Sequence, residues 1–282
     1  MPSRHRGALL AALLLLTACL DRGNTILPTA EAAEASVEKP LSFKGSARSY
    51  RLFVPAGIDR SQPLPLILAL HGGWGTAKNQ EEITGLNAPA GAAGFVVAYP
   101  EGVLRAWNAG SCCAQPMKQN IDDVGFLKAV VDDIAKTLPI DRKRIYGTGL
   151  SNGAMMVHRA ACEAPDLFAA IVPVAGGLML PSCKASTRVS ALLIQGRADA
   201  RIPWDGGVFE GNARPSMRTV AGILGARNGC GTQETTSRQQ GITTCYTLPG
   251  CKAGSEVSWC GLEGVGHQWP GGRELLPRLL GK

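Results

Sequence analysis

Apolar residues in this chain fall into short unbroken runs, separated by stretches in which they recur with a helical repeat. Runs at residues 65–70, 95–98, 145–148, 169–174 and 190–195 are apolar at nearly every position, as expected of strands buried on both faces of a sheet. Residues 49–54 alternate enough to predict a further strand. Ile121, Val124, Leu127, Val131, Ile134 and Leu138 recur at helical spacing, which predicts a helix capped by Asn120 or Asp122. Helices are also predicted over 152–164, 217–227 and 274–280, and residues 243–247 and 256–260 read as neighbouring strands. Strands alternating with helices imply an α/β fold: a mostly parallel central sheet, helices on both faces and a single domain. In such sheets a site lies at the carboxyl ends of the strands.

The start of the chain departs from this pattern. Arg4, His5 and Arg6 precede an apolar run over residues 8–16, the arrangement of a secretory signal peptide. Leu16-Thr17-Ala18-Cys19 then resembles a bacterial lipobox, in which Cys19 is lipidated and becomes the new N-terminus. The predicted organisation is a leader over 1–18, a small, polar tether over 19–42, and a folded domain over 43–282 that begins near Leu41. A lipid on Cys19 would attach the protein to a membrane surface, periplasmic or at the cell exterior. Cleavage further on, near residues 30–35, would instead release a soluble protein.

The nine cysteines agree with export. Without Cys19 there remain Cys112, Cys113, Cys162, Cys183, Cys230, Cys245, Cys251 and Cys260, an even set suited to four disulfides in an oxidising compartment. They lack the repeated C-x-x-C spacing of a zinc site. Cys230–Cys251 and Cys245–Cys260 are the expected pairs, and adjacent Cys112 and Cys113 are each expected to reach a different partner. The net charge of +7 falls by two once Arg4 and Arg6 leave with the leader. With no Lys/Arg cluster, a nucleic-acid role is excluded. Beyond the leader, no apolar stretch is long enough to span a membrane.

Candidate chemistry centres on Gly149-Leu150-Ser151-Asn152-Gly153, a G-x-S-x-G sequence between a predicted strand and a predicted helix. A serine on so sharp a turn adopts strained backbone angles, and glycines let strand and helix approach. Such a serine needs an acid and a histidine later in the chain. His158 lies inside the helix after Ser151 and His71 comes too early, which leaves His267 in a glycine-flanked loop after the last strand. Asp199 follows the strand at 190–195 and is the expected acid, with Asp205 as the alternative. An oxyanion hole is expected from the backbone N–H of Asn152 and one from Gly73 or Trp74, in the His71-Gly72-Gly73-Trp74-Gly75 loop. Trp74, Trp107, Trp204 and Trp269 are placed in loops at the carboxyl edge of the sheet, where they would offer flat apolar surfaces to substrate.

Several stretches together resemble the secreted polyhydroxybutyrate depolymerase-like and feruloyl/acetylxylan esterase group of the α/β-hydrolases. They are Leu70-His-Gly-Gly73, Trp107-Asn-Ala-Gly-Ser-Cys-Cys113, Asp122-Asp-Val-Gly-Phe126, Gly149-Leu-Ser-Asn-Gly153, Gly206-Gly207 after Asp199, and Gly266-His-Gln-Trp-Pro-Gly-Gly272. The resemblance implies Ser151 as nucleophile, His267 as base, Asp199 as acid, and serine-ester chemistry without metal or cofactor. The expected substrate is an extracytoplasmic ester: a polyhydroxyalkanoate oligomer, or a feruloyl or acetyl ester of a polysaccharide. A peptidase or acyltransferase on the same fold, and a non-catalytic glycan- or polymer-binding surface lipoprotein, are the competing functions. No obligate protein partner is indicated.

Overall fold

The computed structural model describes residues 36–183 and 188–270. The leader, Cys19 and the helix expected over 274–280 lie outside the described residues. Val37–Phe43 (β1) pairs antiparallel along its whole length with Ser46–Phe53 (β2). The expected tether over 19–42 is therefore corrected, since folded chain begins by Val37. Most β1 side chains are exposed and Glu38 and Lys39 are charged, so no buried face marks this strand in the sequence.

Leu64–Leu70 (β3) is buried at every position, with Leu66, Leu68 and Leu70 on one face of the sheet and Ile67 and Ala69 on the other. Thr76 then caps Ala77–Thr84 (α1), its side chain accepting from the Asn79 amide, and Asn87–Ala92 (α2) leads to Val96–Pro100 (β4). Ala114–Lys118 (α3) precedes Asp123–Ala135 (α4), where Asp122 rather than Asn120 is the cap, accepting from Gly125 N at 2.8 Å. Ile140–Leu150 (β5), Asn152–Glu163 (α5), Ala170–Val174 (β6) and Ser190–Gly196 (β7) follow. A small hairpin, Gly207–Phe209 (β8) with Asn212–Arg214 (β9), comes before Met217–Asn228 (α6). Thr235–Gln240 (β10), Thr243–Thr247 (β11) and Val257–Leu262 (β12) complete the described chain.

Ten strands form one sheet in the order β1-β2-β4-β3-β5-β6-β7-β12-β11-β10. The six from β4 to β12 run parallel, and antiparallel pairs flank them on both sides. Because the six are parallel, the loops that follow them all open at one edge of the sheet. Phe126 and Ile134 of α4, Met155 and Val157 of α5, and Val220 and Leu224 of α6 pack in one core layer. Ala77 of α1 and Ala90 of α2 pack on the other face with Tyr99, Tyr146 and Ile194. No helix among the described residues is long and apolar enough to cross a membrane.

Disulfides join Cys162 to Cys183, Cys230 to Cys251 and Cys245 to Cys260. Cys245 and Cys260 face each other directly across β11 and β12. Cys112 and Cys113 are bonded to each other, a correction to the expectation that each finds its own partner; the other six cysteines among the described residues are already consumed in pairs. Four bonds of this kind fit an oxidising, extracytoplasmic compartment.

Candidate active site

Ser151 stands between β5 and α5 with φ 54° and ψ −119°, outside the regions that L-residues ordinarily occupy. Its N–H donates to the Val174 carbonyl of β6 at 2.9 Å, and its own carbonyl accepts from Met155 N at 2.9 Å, so the turn is held from both sides. The two motif glycines have separate steric reasons. A Cβ on Gly149 would lie 2.7 Å from the Gly153 carbonyl carbon, and one on Gly153 would be driven into the carbonyl oxygens of Leu70 and His71. The helix start is thus pressed onto the end of β3, which puts the serine beside the Gly72-Gly73 loop.

That loop is fixed from beneath. The Asn152 side chain accepts from Trp107 N at 2.7 Å and donates to the Trp107 carbonyl at 3.0 Å, while the Trp107 indole N–H donates to the His71 carbonyl at 2.9 Å. His71 is fully buried; its Nε2 accepts from Gly102 N at 2.9 Å, so Nδ1 carries the proton and donates to the Gly72 carbonyl at 2.8 Å. Burial pushes the His71 imidazole down to about 4, so it is a neutral strut rather than a charged partner of Glu101. Sequence spacing singled out His71 only as too early for a base. Its structural role had one signal, its place at the end of a wholly buried strand.

The N–H of Asn152 is the first amide of α5, which has no acceptor in the helix ladder and carries the positive end of the helix dipole. Gly73 lies against it, with 3.8 Å between the position of a Gly73 Cβ and Asn152 Cβ. Trp74 is corrected as an oxyanion donor, because its N–H is already engaged by the Arg105 carbonyl at 2.8 Å.

Asp199 leaves the end of β7 and is buried, and its Oδ2 is 2.7 Å from Nδ1 of His267 on the loop after β12. Oδ2 also accepts from Gln195 Nε2 at 2.8 Å, while Oδ1 takes the backbone N–H groups of Arg201 and Ile202 at 2.8 and 2.9 Å. Burial alone would raise this carboxyl, but the hydrogen bonds from His267 and the two amides outweigh it and hold Asp199 below the usual carboxylate range. The two loops are joined by Ala198 N donating to the Val265 carbonyl at 2.9 Å. Asp205, the alternative acid, forms no hydrogen bond or ion pair with His267 among the described residues. No hydrogen bond joins the Ser151 hydroxyl to His267 among the described residues; free enzymes often show this looseness before substrate binds. His158 is fully buried within α5, and burial, then the Arg227 guanidinium, push it down to about 3.

Of the four tryptophans expected to line the substrate, only Trp74 is freely exposed, at 75%. Trp107 is completely buried as the clamp just described, Trp269 lies in the core, and Trp204 packs between Arg197 and Tyr246. Burial thus removes Trp107 and Trp269 from the expected rim, while Trp204 is half-buried and Trp74 exposed. Tryptophan is as useful for packing as for binding, and the sequence does not separate the two.

A parallel sheet with a strained serine turn, a carboxylate–imidazole pair and a glycine loop at one edge defines the α/β-hydrolase class. The acetyl xylan esterase from Aspergillus awamori shares this fold, with a TM-score of 0.64 at 14% identity over 83% of this chain and 95% of that one. Residues 48–220 match the Esterase PHB depolymerase family model. NocK of Nocardia uniformis subsp. tsuyamanensis, named as an esterase, is 33% identical over 267 residues, covering 87% of this chain and 76% of its own. Feruloyl esterase B of Piromyces equi is 29% identical over 227 residues, 76% of this chain but 41% of that protein, so the chain spans less than half of that relative. The chain belongs to the Esterase PHB depolymerase family and is a carboxylic ester hydrolase.

Proposed function

We propose that hydrolysis proceeds through an acyl-enzyme on Ser151. The Ser151 oxygen attacks the ester carbonyl carbon while His267 takes its proton through Nε2, and Asp199 steadies the imidazolium through Nδ1. The N–H groups of Asn152 and Gly73 receive the negative oxygen of the tetrahedral intermediate. The alcohol leaves with the proton from His267. Water, deprotonated by His267, then attacks the acyl carbon, and the acid departs as the proton returns to Ser151. The observation that carries this reading is the pair formed by buried Asp199 and part-buried His267 at 2.7 Å, on the same sheet edge as a serine in a conformation few residues tolerate.

The proposed substrate is an extracytoplasmic ester, either a polyhydroxyalkanoate oligomer or a feruloyl or acetyl ester of a polysaccharide. Family membership and relatives named for these activities support it. The proposed location is a membrane surface, through a lipid on Cys19 after removal of residues 1–18, which the lipobox-like sequence supports. The test compares the oxidised protein with its Ser151→Ala variant on p-nitrophenyl acetate and butyrate, methyl ferulate, acetylated xylan and 3-hydroxybutyrate oligomers. The variant should lose turnover by roughly 10⁴–10⁶-fold at unchanged melting temperature. Equal activity of the two proteins would remove Ser151 from the chemistry, and the preferred ester identifies the substrate branch.

A further inference from the structure

A guanidinium taken out of water is ordinarily held by oxygen acceptors, because its lost hydration must be replaced. The chain does this at Arg48, whose side chain is 5% exposed and meets the Asp123 carboxylate and the Glu101 carbonyl, each at 3.0 Å. It does so again at Arg227, which donates to the carbonyls of Ala161 and Val189. Arg214 is different. It is 8% exposed, its Nε is buried without a partner, and its Nη1 meets only the thioether sulfur of Met179, at 3.6 Å. Among the described residues it forms no ion pair; Glu210, on the same hairpin, acts on it only at longer range.

The position of this arginine connects it to the serine. Arg214 ends β9, opposite Gly207 of β8, and the next residue, Pro215, packs against Gly177 in the loop after β6. Two residues on, the carbonyl of Met179 takes both the N–H and the hydroxyl of Ser111, at 3.0 and 3.1 Å. Gly176, at the start of that loop, is pressed so closely on the Ser151 carbonyl that a Cβ there would not fit. Loops from the carboxyl ends of β4, β6 and β7 thus meet at Met179, and the Arg214 guanidinium stands at their junction against its sulfur.

We propose that Arg214 is a specificity residue that receives a carboxylate carried by the ester substrate. The edge formed by Nε and the adjacent Nη2 carries two parallel N–H groups, the spacing that two carboxylate oxygens accept together once the enclosed Nε is uncovered. A hydroxyl would satisfy one donor and leave the charge; a carboxylate satisfies both and neutralises it. The inference rests on the esterase reading and narrows its substrate to esters with a free acid group. The end of a polyester fragment and an acidic sugar beside an esterified one both carry that group.

The test uses two pairs of esters matched in shape. The mono-p-nitrophenyl ester of adipate is set against p-nitrophenyl hexanoate, with the carboxylate on the acyl side. Acetoxybenzoate with the acid in the para position is set against its methyl ester, with the carboxylate on the alcohol side. The wild type should favour the anionic member of one pair by at least roughly tenfold in kcat/KM, mainly through KM, and the preference should shrink with added salt. Arg214→Met should abolish the preference while leaving the neutral ester within about threefold. If that variant fails to fold, Arg214→Lys keeps the charge but loses the fork, and should lower the preference several-fold. A wild type without charge preference, an unchanged preference in either variant, or a parallel loss on charged and neutral esters overturns the proposal. Ser151→Ala is run beside them. If it retained activity, the esterase reading would fail at its nucleophile, an outcome distinct from any result at Arg214.

Discussion

Asn152 carries two tasks in the proposed chemistry, since its backbone N–H is offered to the oxyanion and its side chain fixes Trp107 by both ends. Removing that side chain would strand the buried Trp107 N–H, at a cost of about 1–3 kcal/mol, and leave the Trp107 carbonyl with the Cys113 N–H at 3.2 Å alone. It would also free the indole that steadies His71 and the oxyanion loop. Asn152→Ala is therefore expected to lower the melting temperature and to reduce kcat by roughly 10–100-fold with little change in KM, as for a donor that acts in the transition state. Steady-state kinetics beside a thermal melt checks this, and unchanged kcat in a destabilised variant would restrict the side chain to a packing role. The candidate nucleophile, acid and base were legible from the pentapeptide and from chain order. The Asn152–Trp107–His71 linkage was not, because it depends on which groups meet across 36 to 45 residues of sequence.

At the level of elements, the apolar runs correspond to the strands buried on both faces. The helix predicted from Ile121, Val124 and Leu127 ends before Leu138, with Ala135 as its last residue. Elements without a two-sided apolar pattern escaped notice: β1 with its charged exposed face, β10, the short β8–β9 hairpin and the brief helices α1 to α3. β11 and β12 were legible as neighbouring strands, and that adjacency is what pointed to the Cys245–Cys260 pair. Their bond closes a loop with a sequence separation of 15 and braces the strand from which the His267 loop departs. Replacing both cysteines with alanine should cost about 2–4 kcal/mol and lower the melting temperature by roughly 5–15 °C. Calorimetry on the oxidised proteins tests this; an identical melt would show that the strand pairing stands without its crosslink.

For the molecule as a whole, the buried histidines set a pH dependence of stability. His71 and His158 are held neutral in the folded state at about 4 and about 3, whereas in the unfolded chain they titrate near the ordinary value of about 6.5. Between these limits the unfolded chain binds more protons, so stability is full above about pH 6.5 and falls as pH drops toward about 4 and then 3. Asp199, held below its ordinary value, adds a further loss only at lower pH, as it too takes up a proton. Thermal melts from pH 8 to pH 4.5 should show a steady decline, and His158→Leu should flatten it. A melting temperature independent of pH over that range would mean that neither ring is held as described.

The outermost strands of the sheet bear on how copies of the molecule meet. Among the described residues β1 forms one margin and β10 the other. The first carries Glu38, Lys39 and Pro40, whose ring nitrogen has no hydrogen to donate, and the second is a polar run with Thr235, Thr236, Gln239 and Gln240. Each margin is a poor template for a strand from a neighbour, through charge and a missing donor on one side and lack of apolar surface on the other. Among the described residues the sheet stops at ten strands, and neither margin invites copies crowded together to add another.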